Sequence, residues 1–253
     1  MNAGSPRAAL DERALREAAG PPWEVRLLAE AGSTNQVAAA DPVRDRIVVA
    51  EHQQAGRGRL DRVWVTPRGA ALTFSAVVDP AVDTAWWTLV PLVAGYAVAS
   101  AVGDATLKWP NDVLIGEQKV AGILVERVGT KPPLLVIGIG INVDQTTEEL
   151  PVPTATSLAL EGRAVDRTEL FGRVVRRLAA CLGELARSPR TFVDQYRAHS
   201  ATLGRDVRVE LPGDRAVTGR VCDFDEHGRL LLQTAEGLLA LSAGDVVHVR
   251  PAG

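Results

Sequence analysis

The chain has 253 residues, 46% of them hydrophobic, enough for one large domain with its own core and a small second one. A formal net charge of −3 argues against a constitutive nucleic-acid binder. No apolar run approaches the ~20 residues of a membrane span, and residues 1–10 lack the apolar core of a leader. Residues 8–19 pattern as a short amphipathic helix, 23–30 as a strand, 35–40 as a short helix after a turn at Gly32, and 47–50 as a β-branched strand. The polar, Arg- and Gly-rich stretch 54–69 reads as a loop, and 70–78 as a strand. Residues 85–102 read as a buried Ala-rich helix. Strands follow at 106–109, 113–115, 119–127 and 134–139, with Gly116-Glu117 as a hairpin turn. Residues 142–153 are acidic and irregular, and helices follow at 167–187 and 189–199.

Beyond Leu203 the helical patterns stop. Short strands at 207–209, 216–223, 230–233, 238–242 and 246–249 are joined by turns at Pro212-Gly213-Asp214, His227-Gly228, Glu236-Gly237 and Ala243-Gly244, the signature of a small β-barrel. The domain boundary is placed near Ala201, giving units 1–200 and 201–253. Cys181 and Cys222 lie far apart without metal-ligand spacing, so free thiols in a reducing cytoplasm are expected. Lys108, Lys119 and Lys131 are the only lysines. Two of them fall between Leu107 and Glu126, which marks that stretch as needing a compact, movable ammonium unless chance placed them there.

Four segments carry candidate chemistry. Ser33-Thr34-Asn35-Gln36 fits a helix capping box, and three polar side chains at a helix start also suit a small polar ligand. Gln53 through Trp64 holds Arg57, Arg59 and Arg62, cations that repel one another unless an anion neutralises them. Its glycines permit close backbone approach, and Trp64 offers a face for a flat base. A solvated basic loop, even an RNA-binding one, is the alternative; the acidic chain favours a discrete anionic ligand. No Walker lysine follows.

In the third segment, Lys108 through Ile115 followed by Gln118 through Glu126, a hairpin would bring Asp112 near Lys119. The pair faces one ligand, as phosphate chemistry with an amine nucleophile requires, or makes a surface ion pair of little worth. The fourth, Gly138-Ile139-Gly140-Ile141-Asn142, lacks the third glycine and the helix of a dinucleotide fingerprint, so its glycines are expected to clear space beside a ligand.

In this order and spacing, Ser33-Thr34-Asn35, Gln53 through Trp64, Lys108 through Asp112, Lys119 through Glu126 and Gly138 through Asn142 resemble the biotin–protein ligase family over nearly the whole chain. The resemblance implies a mixed-sheet α/β (α+β) catalytic domain related to class II aminoacyl-tRNA synthetases and a C-terminal SH3-like β-barrel. It implies a ligase that makes biotinyl-5′-AMP from biotin and ATP, with Mg²⁺, and passes biotin to a lysine of a carboxylase's biotin carboxyl carrier domain. Carried over by position, Ser33, Thr34, Asn35, Gln53, Arg57, Gly58, Arg59, Lys119 and Gly122 hold biotin and the growing adenylate. Arg57, Arg59, Arg62, Trp64, Asn111, Lys119 and Asn142 face the nucleotide. Lys119, Asp112 and Arg59 are the expected catalytic residues; metal ligands are not assigned.

The expected setting is cytoplasmic, as a monomer or homodimer, with no nucleic acid and no membrane. Where the family's arginine loop usually has glycine, this chain has Asp61, an anion beside three arginines. Residues 1–31 are too short for the DNA-binding domain that some relatives carry. A lipoate-type acyl-adenylate ligase, a biotin-responsive regulator and a non-catalytic biotin-binding module are the alternatives.

Overall fold

Helix α1, Glu12–Ala19, starts where the Asp11 carboxylate accepts from the Ala14 amide, which satisfies one of the free N–H groups of its first turn. The computed structural model describes residues 7–59, 62–129, 132–213 and 215–248. They form two compact units, 1–79 with 117–176 and 80–116 with 177–253.

In the first unit the strands are β1 (Glu24–Leu28), β2 (Arg46–Ala50), β3 (Gln53–Arg57), β4 (Val63–Thr66) and β5 (Ala71–Val78), with α2 (Thr34–Ala40) after β1. The later strands are β8 (Gln118–Val128) and β9 (Leu134–Asn142). Five of these strands pair in the order β1-β2-β5-β9-β8, and only β1 and β2 run parallel, so the sheet is mixed. Strand β5 is buried along its whole length, as a central strand covered on both faces must be. The side chains on its two faces alternate. Phe74 points to one face, where its ring meets the Phe171 edge at a centroid distance of 5.2 Å. Phe171 belongs to α4, Arg167–Arg187. The opposite face, carrying Thr73, Ser75 and Val77, lies under α2, where Ala38, Val48, Val77, Leu134 and Val136 form a buried cluster.

The stretch 54–69, expected as a loop, contains a two-stranded ribbon instead. Strands β3 and β4 pair antiparallel, Arg57 opposite Val63 and Gly56 opposite Trp64. A bulge between Gln53 and Gly56 breaks the alternation that would have announced them. Strand β9 runs to Asn142, three residues past the expected end.

In the second unit β6 (Thr106–Lys108) and β7 (Asp112–Ile115) form an antiparallel hairpin. A 3₁₀ helix, Thr84–Leu89, leads into α3, Val90–Val102. Together they run 19 residues at a mean hydropathy of 1.5, long and apolar enough to cross a membrane by length and composition. That corrects the expectation that no run approaches such a length. The physical reason is burial: Val90, Leu92, Val93, Ala97 and Val98 are core residues of a packed helix. Helix α5, Pro189–Ala198, follows α4.

Five antiparallel strands complete this unit: β10 (Asp206–Leu211), β11 (Arg215–Phe224), β12 (Leu230–Thr234), β13 (Gly237–Leu241) and β14 (Asp245–His248), in the order β13-β12-β11-β10-β14. Among the turns between them, Asp214 lies outside the described residues.

Candidate active site

Register assembles one face of the first unit's sheet. Ser75 sits opposite Gly138 and Gly138 opposite Leu124, while Thr73, Gly140 and Gly122 form the next line. A Cβ on Gly138 would fall on the amide oxygen of Asn35. One on Gly140 would come within 2.6 Å of the Trp64 indole nitrogen. The strand glycines therefore make room for two protein side chains, which refines the expectation that they clear space beside a ligand.

Above this floor stands the start of α2. Ser33 is its N-cap, accepting from the Gln36 amide at 3.5 Å, as a capping box requires. The reciprocal half is missing: with its amide oxygen turned outward, Gln36 accepts from Arg57 Nη2 at 2.7 Å. Ser33, Thr34, Asn35 and Gln53 are all buried. Gln53 Oε1 accepts from the Thr34 amide at 3.0 Å, and Gln53 Nε2 donates to the Trp64 carbonyl at 3.4 Å. Asn35 Nδ2 donates to Glu126 Oε2 at 2.7 Å and to the Leu124 carbonyl at 3.3 Å. Ser75 Oγ lies 2.6 Å from Asn35 Oδ1 and 2.7 Å from Thr34 Oγ1. The capping role and a buried polar cluster thus coexist in the same residues.

The arginine ribbon closes on itself. Gly58 donates to the Arg62 carbonyl at 2.6 Å, and Arg62 to the Arg59 carbonyl at 3.2 Å. Leu60 and Asp61, including the family departure at Asp61, lie outside the described residues. The Lys119 ammonium stands 5.4 Å from the Trp64 ring centroid, a cation–π distance. A Cβ on Gly122 would come within 3.2 Å of Lys119 Nζ and 3.1 Å of Trp64 Cζ3, so Gly122, Lys119 and Trp64 share one spot. The Trp64 indole N–H is buried and has no acceptor among the described residues. Lys119 is held by its backbone, which donates to the Thr154 carbonyl at 2.8 Å and accepts from Thr156 at 2.9 Å. Asn142 donates to the Thr156 carbonyl at 2.9 Å and accepts from Gln145 at 2.9 Å, so its amide ties the end of β9 to the segment after it.

The remaining expected residues belong to the second unit. Asp112 opens β7 in register with Lys108, and Asn111 lies in the turn before it. Trp109 is buried, its backbone amide donating to Thr202 Oγ1 at 3.1 Å and its indole to the Gly228 carbonyl at 3.0 Å. Burial, reinforced by the Asp112 charge, pushes the Tyr196 phenol far above its ordinary range. Among the described residues no group of three or more His, Cys, Asp and Glu side chains could hold a metal ion.

Sequence reasoning missed Ser75 and gave Glu126 no role. The signal for Ser75 was present: Thr73 and Ser75 are polar at i, i+2 within an otherwise apolar run, one face of a strand. Glu126 carries no local pattern, because its partner Asn35 is 91 residues away.

The comparisons with known proteins agree with this geometry. Residues 31–144 match the Biotin/lipoate A/B protein ligase family, and residues 202–249 match the Biotin protein ligase C terminal domain. The fold and site therefore define a protein ligase of the biotin/lipoate class. A biotin–[acetyl-CoA-carboxylase] ligase of Mycobacterium tuberculosis is 40% identical, over 96% of this chain and 97% of its own length. The bifunctional ligase/repressor BirA of Bacillus subtilis (strain 168) is 30% identical, over 79% of this chain and 65% of its own length. The structure of biotin protein ligase from Aquifex aeolicus in complex with biotin and ATP superposes with a TM-score of 0.77 at 30% identity, covering 89% of this chain and 98% of that one. The chain belongs to the biotin protein ligase family.

Proposed function

We propose that this chain activates biotin with ATP as biotinyl-5′-AMP and then joins the biotin to a lysine of a biotin carboxyl carrier domain. The observation that carries the reading is the 40% identity to the Mycobacterium tuberculosis ligase across 96% of the chain. The buried polar corner at Ser33, Thr34, Asn35 and Gln53 supports it, since a bicyclic urea offers both donors and an acceptor to such side chains.

In the first step the biotin carboxylate attacks the α-phosphate and pyrophosphate leaves. Two anions meet, so cations must offset the charge that builds on the phosphate. Arg57, Arg59, Arg62 and Lys119 supply it, Lys119 at the reacting centre and Arg59 from the arginine ribbon. Gly58 and Gly122 let the backbone lie close to the acid. Trp64 offers its ring to the adenine and its buried N–H to an acceptor on the adenylate. Asn111 and Asn142 bind on the nucleotide side, Asn142 with its second amide hydrogen. Mg²⁺ bound with ATP would supply Lewis-acid charge to the phosphates. In the second step the neutral target amine attacks the mixed anhydride and AMP leaves. Asp112 orients that amine and accepts its proton.

The catalytic part is assigned to 1–200 and the small β part to 201–253. We assign the enzyme to the cytoplasm, as a monomer or homodimer without a nucleic-acid partner; its net charge of −3 supports the last point. The test is transfer to protein. With labelled biotin and ATP, the purified chain should mark a carrier domain and fail on one whose target lysine is arginine. Equal labelling of both would contradict the reading.

A further inference from the structure

We infer that Arg7 is a positioning residue for the ATP step: it fastens the irregular segment 144–149, which runs on from Asn142, at the end of the first unit's sheet, so that the nucleotide side is formed before ATP arrives. The inference deepens the proposed function and rests on it for placing Asn142 on the nucleotide side.

Between the end of β9 at Asn142 and the start of α4 at Arg167 the chain forms no helix or strand, so its backbone leans on side chains for partners. The amides of Val143 and Asp144 donate to the Ala70 carbonyl at 3.2 and 2.7 Å. The Asp144 carbonyl accepts from Arg7 Nη2 at 2.7 Å. Ser157 Oγ donates to the Gln145 carbonyl at 2.7 Å, and Glu149 Oε2 accepts from the Thr146 amide at 3.0 Å. Both Glu149 oxygens also accept from the Arg7 guanidinium, at 3.1 and 2.5 Å, a forked pairing that arginine makes and lysine does not. The bond from Arg7, more than any other cause, holds the Glu149 carboxyl below its ordinary range.

Arg7 is itself held. The Ala8 carbonyl accepts from Arg167 Nη2 at 2.6 Å, and the Leu10 amide donates to the Glu51 carboxylate. Arg167 is buried; it forks onto Glu51 at 2.9 and 3.2 Å and donates to the Ala71 carbonyl at 3.2 Å. Ala71 lies opposite Asn142 across β5 and β9, so this anchor and the segment it steadies share one end of the sheet. Gly69, at a φ of +70°, lets Arg7 pass close: a Cβ there would come within 3.1 Å of Arg7 Cβ. From Asp144 the brace continues through Gln145, which holds Asn142, to Thr156 and the Lys119 backbone. Charge explains why ATP would feel the loss. Asp144, Glu148 and Glu149 follow soon after Asn142, and carboxylates oppose a triphosphate; Arg7 offsets one and fixes where it stands. Among the described residues no bond joins Arg7 or Glu149 to Ser33, Thr34, Asn35 or Gln53, so the biotin side should be spared.

Pyrophosphate exchange with ATP varied at fixed biotin, and then the reverse, tests this. Arg7→Ala should raise KM for ATP roughly tenfold, the scale of one charge-assisted pairing, with kcat nearly kept and KM for biotin within about twofold of the wild type. Arg7→Lys keeps the charge and loses the fork, so it should lie between the two. Adding Glu149→Ala to Arg7→Ala removes the carboxylate left unpaired, and KM for ATP should then be no higher than in Arg7→Ala alone. Equal rises in KM for ATP and for biotin would make Arg7 a general anchor of the fold and overturn the inference. So would an unchanged KM for ATP, or losses at Arg7 and Glu149 that simply add. Calorimetric titration of ATP in the presence of biotin separates this inference from the reading beneath it. A wild type that binds ATP without exchange would overturn biotin activation, while the ATP affinities of the same variants would still decide the role of Arg7.

Discussion

Lys119 is the residue on which sequence and structure bear most directly. Its scarcity as a lysine picked it out, and the structure places it against Trp64 and Gly122 with its backbone pinned to 154–156. A fixed backbone carrying an ammonium on a four-carbon stem suits a group that must meet charge as it develops. Lys119→Ala should slow biotin-dependent pyrophosphate exchange roughly 100-fold or more, the usual scale for losing one such electrostatic group. Exchange close to the wild-type rate would remove Lys119 from the chemistry. Other site residues were legible for a similar reason: Ser33-Thr34-Asn35 combine polarity with a helix start, a local property. Ser75 and Glu126 were not, since their bonds to Asn35 exist only once β5, β8 and α2 are brought together.

The arginine ribbon is where element-level reading fell short. Glycine and alanine, both in β3, are poor strand formers, and the bulge between Gln53 and Gly56 removes the two-residue period. Backbone pairing of Arg57 with Val63 and the backbone bonds from Gly58 to Arg62 and from Arg62 to Arg59 hold the ribbon regardless. A ribbon carrying three like charges settles best on an anion, and the reactive mixed anhydride must be held until the acceptor arrives. Arg59→Gly removes one charge-assisted contact, worth about 1.5–3 kcal/mol, mostly as faster release of the adenylate. The variant should still form biotinyl-adenylate yet biotinylate bystander albumin well above the wild type. Equal albumin labelling with adenylate formation intact would mean the ribbon is not the gate. The core strands, by contrast, were readable almost to the residue: β2 and β5 are mostly β-branched or apolar runs, buried along nearly their whole length.

At the scale of the molecule, the shift at Leu203 from helical to strand patterning foretold the β10–β14 sheet. The sequence could not tell that Trp109, inside the Lys-Trp-Pro-Asn-Asp segment, is bonded to Thr202 and Gly228 of that C-terminal region. Those contacts span 93 and 119 residues, beyond any local signal. Trp109→Ala empties a buried site and strips the indole bond to the Gly228 carbonyl, a change that costs about 3–5 kcal/mol. Urea unfolding should show a lowered midpoint, and limited proteolysis should cut near residue 201 before the wild type is touched. An unchanged midpoint would mean that this tryptophan does not hold the segment to the sheet.

The central claim is that the chain activates biotin as an acyl-adenylate, and the most direct measurement is ATP–pyrophosphate exchange by the purified protein with biotin or lipoate as the acid. The account predicts exchange that depends on biotin and is at background with lipoate. Exchange driven by lipoate and not by biotin, or binding of biotin with no exchange at all, would contradict it.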